Sequence, residues 1–263
     1  MSSSTQEQGP AGTPGGDGGP ARRSSLPRLL LLVSVLTVLL VAAVAIPAFL
    51  VKRNHSTLAA QDARVSGIPA SVSTSLANLM MLSPLPADRA PGFTLTDQNG
   101  HTLSLSSLRG KVMVLQFMDP HCTDICPIVS AEFVKAYHDL GPLASKVVFA
   151  AINVNAYHAR VRDMAEYTRA QALNTIPSWH FFTGPVPDLK TVWLGYHIQV
   201  YAPNPNADVQ HTSAVYFIDP QGRERYLASP EVDHTKSGSS YLLASQQIAW
   251  GHGMALVARQ LAS

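Results

Sequence analysis

Cys122 and Cys126 are the only cysteines in the chain, and three residues separate them. They lie in the run Phe117-Met-Asp-Pro-His-Cys-Thr-Asp-Ile-Cys-Pro127, directly after an apolar stretch that starts at Val112. We expect a buried strand to end and a helix to begin here, so that the helix dipole and the free N–H groups of the first turn stabilise thiolate. Because thiolate attacks disulfides and binds soft metals, the pair indicates redox chemistry or metal binding.

The spacing allows the two sulfurs to meet, since residues four apart lie on one helical face. Pro127 suits the first helical position, where a missing N–H has no cost. The sequence predicts a helix over 127–140, stopped by Gly141-Pro142, with Cys122 in the preceding loop. A structural disulfide is the alternative in an exported protein. A bridge that closes so short a loop adds little stability, which favours a chemical role.

The first 90 residues change in composition three times. Residues 1–28 are rich in Gly, Ser and Pro and are predicted to form a disordered tail. Residues 29–51 carry no charge and are long enough to cross a bilayer, which favours a transmembrane anchor over a cleaved signal peptide. The flanking basic residues favour a cytoplasmic N-terminus and an extracytoplasmic C-terminal domain. Residues 52–90 are interpreted as a linker.

The remaining chain alternates strand and helix signals. Asn99-Gly100 predicts the turn of a hairpin, and the apolar runs at 111–117 and 147–154 are typical of strands buried on both faces. Further elements are predicted as helices at 160–172, 186–196 and 241–261, a strand at 179–182, and a closing hairpin at 214–218 and 225–227. We therefore expect an α/β domain over 91–227, with a mixed central sheet flanked by helices, and a helical extension over 228–263.

With the cysteines at the end of the first central strand, this arrangement resembles the thioredoxin fold. The motif Cys122-Thr-Asp-Ile-Cys126-Pro127, with His211-Thr-Ser-Ala-Val-Tyr-Phe-Ile-Asp-Pro-Gln-Gly222 far downstream, resembles the Sco/SenC family of copper-delivery proteins for cytochrome oxidase. Further matches extend over about residues 92–227: Pro91-Gly-Phe-Thr-Leu95, Leu108-Arg-Gly-Lys111 and Trp179-His-Phe-Phe-Thr-Gly184. An N-terminal anchor is also expected of that family.

The resemblance implies that Cys122, Cys126 and His211 bind one copper ion. Two thiolates favour Cu(I), and an added imidazole also accommodates Cu(II). Because the ligands must lose their protons, affinity is expected to fall as pH drops. The thioredoxin-like fold is expected to bring the His211 loop close to the cysteine loop.

Residues around the cysteines are given supporting roles. His121 is expected to tune the pKa of Cys122, to act as an alternative ligand, or to be a partly exposed loop residue. Asp124 matches an acidic position of the family motif and is expected to cap or orient the loop or to contact a partner. The chain departs from the motif at Thr123, where proline is usual, and at Asp119, where an aromatic residue is usual. The charge of Asp119 is expected to raise the pKa of the thiols.

The other histidines show no metal-ligand spacing with one another: His55, His101, His138, His158, His180, His197, His234 and His252.

The sequence thus predicts a membrane-anchored, extracytoplasmic copper chaperone that passes copper to the acceptor subunit of a respiratory oxidase. Its expected partners also include a thiol reductant and, through residues 29–51, the bilayer. A thiol-disulfide oxidoreductase is the alternative, with Cys122 attacking and Cys126 resolving; a peroxidase of peroxiredoxin type is less favoured. The formal net charge of +2 argues against nucleic-acid binding.

Overall fold

The computed structural model describes residues 66–230 and 232–263. The predicted tail at 1–28, the predicted anchor at 29–51 and the linker up to residue 65 lie outside the described residues. Within the described ranges, no helix combines the length and the apolar character needed to span a membrane.

A six-stranded mixed sheet forms the centre of the domain, in the order β1, β10, β9, β4, β5, β6. Its strands are β1 (Ser83–Pro84), β4 (Val112–Met118), β5 (Val147–Asn153), β6 (Trp179–Phe182), β9 (Val215–Ile218) and β10 (Glu224–Ala228). β4, β5 and β6 are parallel, and the three remaining strands pair antiparallel. The predicted mixed sheet is confirmed.

Three two-stranded ribbons accompany the sheet. The predicted Asn99-Gly100 hairpin joins β2 (Thr94–Thr96) to β3 (Thr102–Ser104), with Gly100 at a φ of 83° that favours glycine. The other two ribbons are β7 (Val200–Tyr201) with β8 (Gln210–His211), and β11 (Asp233–His234) with β12 (Ser240–Tyr241).

Five α-helices occur in the described ranges: α1 (Thr74–Leu79), α2 (Ile125–Leu140), α3 (Val161–Ala170), α4 (Val186–Gly195) and α5 (Ala244–Ala262). Short 3-10 turns lie at Leu105–Leu108, Gly141–Lys146 and Leu173–Thr175. The helices predicted at 160–172, 186–196 and 241–261 are therefore present, with ends shifted by no more than three residues.

The apolar runs of β4 and β5 are buried at every position because hydrophobic clusters cover both faces of the sheet. Val114 of β4 points into one cluster, which includes residues of α2, α3 and α5. Leu115 points into the other, which includes residues of α4. This two-sided burial explains why neither strand alternates apolar with polar residues.

The linker prediction is wrong for residues 66–90, the described part of that segment. Ser73 caps α1 by accepting a hydrogen bond from the Leu76 N–H at 3.2 Å, and β1 pairs with β10. Met80 and Leu82 are buried in the same cluster as α5. The apolar residues of this segment thus complete the core.

Helix α5 lies in the predicted C-terminal helical extension, and its apolar residues pack on the domain. It packs along α2, and Trp250, Met254 and Val257 are buried in the cluster that α2 shares with β4. The core therefore extends beyond the predicted limits of 91–227 in both directions.

Candidate metal and thiol site

The cysteines lie at the carboxyl end of β4, where the chain turns into α2. Helix α2 begins at Ile125, two residues before the predicted start at Pro127. Proline is tolerated there because the N–H groups of a first helical turn have no partner within the helix. Cys122 is in the loop, as the sequence predicted, whereas Cys126 is in the first turn and not directly before the helix.

The two thiols are free and differ in their surroundings. Cys126 is only 3% exposed, whereas Cys122 is partly exposed. The Cys126 N–H donates a hydrogen bond to Cys122 Sγ at 3.4 Å. A hydrogen bond from the Cys126 side chain is the main cause that lowers the pKa of Cys122 to about 7.

The same interaction has the opposite effect on the second thiol. The hydrogen bond to Cys122, together with burial, raises the pKa of Cys126 well above its ordinary value. Near neutral pH, Cys122 is therefore the thiol that carries negative charge, and Cys126 keeps its proton. This difference makes Cys122 the more nucleophilic member of the pair.

Asp119 connects the cysteine loop to the loop that follows β5. Its Oδ1 accepts hydrogen bonds from the His121 N–H at 2.8 Å and from Asn155 Nδ2 at 3.0 Å. The carboxylate is buried, and its charge acts to raise the pKa of both thiols, in the predicted direction. For Cys122 this effect is smaller than the hydrogen bond from Cys126.

His211 lies on β8, which pairs with β7 through Val200. Its Nδ1 is 3.0 Å from the Thr212 carbonyl oxygen. Because a carbonyl only accepts, Nδ1 carries the hydrogen and the lone pair is on Nε2. Burial lowers the pKa of His211, which keeps the ring neutral. A neutral imidazole with an available lone pair is a metal ligand.

The convergence of Cys122, Cys126 and His211 stays a prediction. In the ranges that the structure describes, three ligand atoms within 4.8 Å of one another come from His121, His158 and Asp163, and the predicted copper ligands do not form such a group. The two cysteines are in contact, and His211 approaches the same loop closely enough for the Asp119 charge to influence its pKa.

Asp124, between the cysteines, is tied to a distant ribbon. It occupies the N-cap position of α2 without making a side-chain cap. Instead its carboxylate accepts hydrogen bonds from the Ser240 N–H at 2.8 Å and from Ser240 Oγ at 2.7 Å. Ser240 begins β12, so the β11–β12 ribbon is tied to the cysteine loop. The sequence contains no short-range signal for this contact.

Sequence reasoning also missed His158, which stacks on His121 with ring centroids 3.6 Å apart. The two histidines follow β4 and β5, whose last residues, Met118 and Asn153, are paired. The carboxyl ends of neighbouring parallel strands lie at one edge of a sheet, and this rule would have placed the two loops together.

Comparison with known proteins identifies the family. The sequence model of SCO1/SenC matches residues 83–238. The mitochondrial protein SCO2 of Saccharomyces cerevisiae is 29% identical over 138 residues, which cover 50% of this chain and 44% of the yeast protein. The SCO1 protein homolog of Bacillus subtilis is 25% identical over 133 residues, covering 50% of this chain and 68% of that relative.

Solved structures share the fold. ScoI of Bradyrhizobium japonicum, solved with copper bound, superposes with a TM-score of 0.51 at 23% identity, covering 66% of this chain and 99% of that one. A SCO1/SenC family lipoprotein from Bacillus anthracis gives a TM-score of 0.54 at 22% identity, covering 69% and 98%. The predicted α/β fold class is thereby confirmed for the described domain. Because the family match spans more than half of the chain and contains both cysteines and His211, this chain belongs to the SCO1/SenC family.

Proposed function

We propose that this chain is a copper chaperone that binds one copper ion through Cys122, Cys126 and His211 and delivers it to the copper-acceptor subunit of a respiratory oxidase. The observation that carries the proposal is the pair of free thiols at the start of α2, within a SCO1/SenC match. The copper-bound structure of the Bradyrhizobium japonicum relative supports it.

Two sulfur ligands and one imidazole nitrogen suit copper as the ion that the chain carries. Two sulfur ligands favour Cu(I), and the Nε2 lone pair of His211 would extend the site to Cu(II). With its pKa lowered to about 7, Cys122 loses its proton at little cost at neutral pH. Cys126 must release a proton on binding, so copper affinity would rise with pH. Ligand exchange with the cysteines and histidines of the acceptor would complete the transfer.

Residues 29–51 would anchor the chain in a bilayer, with the N-terminus in the cytoplasm and the folded domain outside it. A membrane location is in keeping with the Bacillus anthracis relative, which is a lipoprotein. Outside the cytoplasm thiols become oxidised, and a Cys122–Cys126 disulfide would offer no thiolate to copper. A thiol reductant is therefore a necessary second partner.

Anaerobic titration of the reduced, full-length chain with Cu(I) tests the proposal. The wild type should hold one copper tightly; Cys122→Ala and Cys126→Ala should each lose it, and His211→Ala should hold it more weakly. His138→Ala is a matched control, since His138 is exposed on α2, and it should bind like the wild type. Wild-type affinity no higher than that of Cys122→Ala would refute the proposal.

The opposite pKa shifts of the two thiols favour one further candidate, a thiol-disulfide oxidoreductase. The Cys122 thiolate would attack an acceptor disulfide and release one acceptor thiolate. Cys126, once deprotonated, would attack Cys122 Sγ and release the second. The acceptor gains two electrons, the chain leaves as a disulfide, and the thiol reductant restores it. Accumulation of a mixed disulfide in Cys126→Ala, but not in Cys122→Ala, would support this activity.

A further inference from the structure

A second cluster of metal-binding side chains lies beside the thiols. His121 is in the loop after β4, His158 is in the loop after β5, and Asp163 is in the first turn of α3. One ligand atom from each of the three residues lies within 4.8 Å of the other two. Two imidazoles and a carboxylate are a ligand combination that divalent transition metals accept.

Buried polar contacts fix the backbone around the two histidines. Asn153 Nδ2 donates to the His158 carbonyl oxygen at 3.0 Å, and the His158 N–H donates to the Asn155 carbonyl at 3.3 Å. The Asp119 carboxylate accepts from both the His121 N–H and Asn155 Nδ2. The two histidine loops are thus held against each other by residues that the cluster itself does not use.

One ring nitrogen of His158 lacks a hydrogen-bond partner among the described residues. Its Nδ1 is buried and has no hydrogen-bond partner in the structure. Buried side-chain polar atoms nearly always have a partner, so such an atom calls for an explanation, and a role in binding an ion is one. The His121 ring is stacked on that of His158 with the ring planes 25° apart, and the Asp163 side chain is only 3% exposed. An imidazole lone pair lies in the plane of its ring, so the exposed His121 ring must turn out of the stack before both rings can bind one ion.

Two arginines compete for the carboxylate. Arg160 donates to both oxygens of Asp163, with Nε 3.1 Å from Oδ2 and an amino nitrogen 3.2 Å from Oδ1, and Arg162 Nε lies 3.6 Å from Oδ1. Both arginine side chains are well exposed, at 59% and 66%, and can shift into solvent. The Arg160 N–H also donates to Oδ2, at 3.4 Å. A carboxylate has about four lone-pair sites, so Asp163 can bind an ion once one of the arginine side chains has moved away.

We propose that His121, His158 and Asp163 form a second metal site, which takes Cu²⁺ in preference to other divalent ions and is independent of the two thiols. Around a square-planar ion such as Cu²⁺, ligand bonds of about 2.0–2.2 Å place adjacent ligand atoms about 2.8–3.1 Å apart. The ligand atoms therefore need to close by at most about 2 Å from their present separation. Imidazole and carboxylate donors bind Cu²⁺ most strongly among the divalent first-row ions, whereas the thiol pair favours Cu(I).

The test removes the thiols and keeps the rest of the chain. The full-length chain carrying Cys122→Ser and Cys126→Ser is titrated with Cu²⁺ and, separately, with Zn²⁺ by calorimetry, and the Cu²⁺ complex is examined by electron paramagnetic resonance. We expect one Cu²⁺ per chain, a spectrum with coupling to imidazole nitrogen, and weaker binding of Zn²⁺. Adding His158→Gln or His121→Gln should weaken Cu²⁺ binding by about tenfold or more, through the loss of a ligand.

One control is matched to the histidine variants. His138→Gln in the same background should leave Cu²⁺ affinity unchanged, because His138 is exposed on α2 and is not part of either proposed site. Because His121 is exposed, its substitution leaves the core intact and decides the question even where His158→Gln lowers stability. Equal Cu²⁺ affinity in His121→Gln and His138→Gln overturns the proposal. Since this background lacks thiols, the result is independent of whether the thiols deliver copper.

Discussion

Replacing Cys126 with alanine should raise the pKa of Cys122. The hydrogen bond from the Cys126 side chain is the largest cause of the low pKa of Cys122, about 7, and alanine removes it. Burial and the charge of Asp119 oppose the thiolate, the backbone N–H groups of Cys126 and Asp124 favour it, and all of these remain in the variant. The pKa of Cys122 should therefore rise toward the value of an ordinary thiol, about 8.5.

The size of the effect on reactivity depends on two opposing changes. At pH 7 the thiolate fraction of Cys122 would fall from about one half to about 3%, which is roughly 16-fold. A more basic thiolate is also more nucleophilic, with a Brønsted coefficient of about 0.4–0.5, so each thiolate would react about fivefold faster. The net rate at pH 7 should drop only about threefold, whereas above about pH 8 the variant should react faster than the wild type.

Alkylation by iodoacetamide, followed by mass spectrometry from pH 5.5 to pH 10, measures both effects. The wild-type rate should have its midpoint near pH 7, and the two rate profiles should cross. Buried, protonated Cys126 contributes little to the wild-type signal at neutral pH. A midpoint for the variant that stays at the wild-type value would show that the Cys126 hydrogen bond does not set the acidity of Cys122.

Three other substitutions test separate parts of the structure. Asp119→Asn removes a charge that opposes the thiolate, so the alkylation midpoint of Cys122 should fall; an unchanged or higher midpoint counts against this role. Burial raises the pKa of Glu132 from 4.5 to about 8, so the free energy of unfolding falls as pH rises between these values. Glu132→Gln should therefore stabilise the chain at pH 8.5 by at most about 5 kcal/mol, and much less at pH 4.5. Urea unfolding at the two pH values measures the difference. Gly251→Ala would place a Cβ 2.8 Å from the Glu132 carbonyl oxygen and should cost about 1–3 kcal/mol, whereas Gly92→Ala meets no atom within 4 Å and should be neutral by the same assay.

The sequence predicted the strand–helix junction that holds the two cysteines because its signals are local. The apolar run of β4, the following Pro127 and the stop at Gly141-Pro142 together define one strand and one helix, and the cysteines lie between them. The helix start was predicted two residues late because proline was assigned to the first position of the helix instead of the third. Both positions leave an N–H unused within the helix, so the proline pattern does not distinguish them.

The errors have tertiary causes. Residues 66–90 were interpreted as linker because α1 has only six residues, too short for a clear helical period. Helix α1 is stable because Met80, which follows it, and other residues of this segment pack against α5, far later in the chain. His158 was set aside because it was compared with other histidines by sequence spacing alone. Its proximity to His121 arises from the pairing of β4 with β5.

The three proposed copper ligands differ in how firmly the fold holds them: the two cysteines are held rigidly, whereas His211 can move away from the ion. The cysteines are set by the junction of β4 with α2 and by the core beneath it, whereas His211 is on a ribbon of two residue pairs outside the six-stranded sheet. So small a ladder opens at far lower free energy than the core strands. Under the proposed function, copper would exchange His211 for an acceptor ligand by opening the ribbon, while both sulfurs keep the ion. The rate of copper transfer would then depend on how readily the β7–β8 ribbon opens, so mutations in that ribbon, away from both sulfurs, would change it.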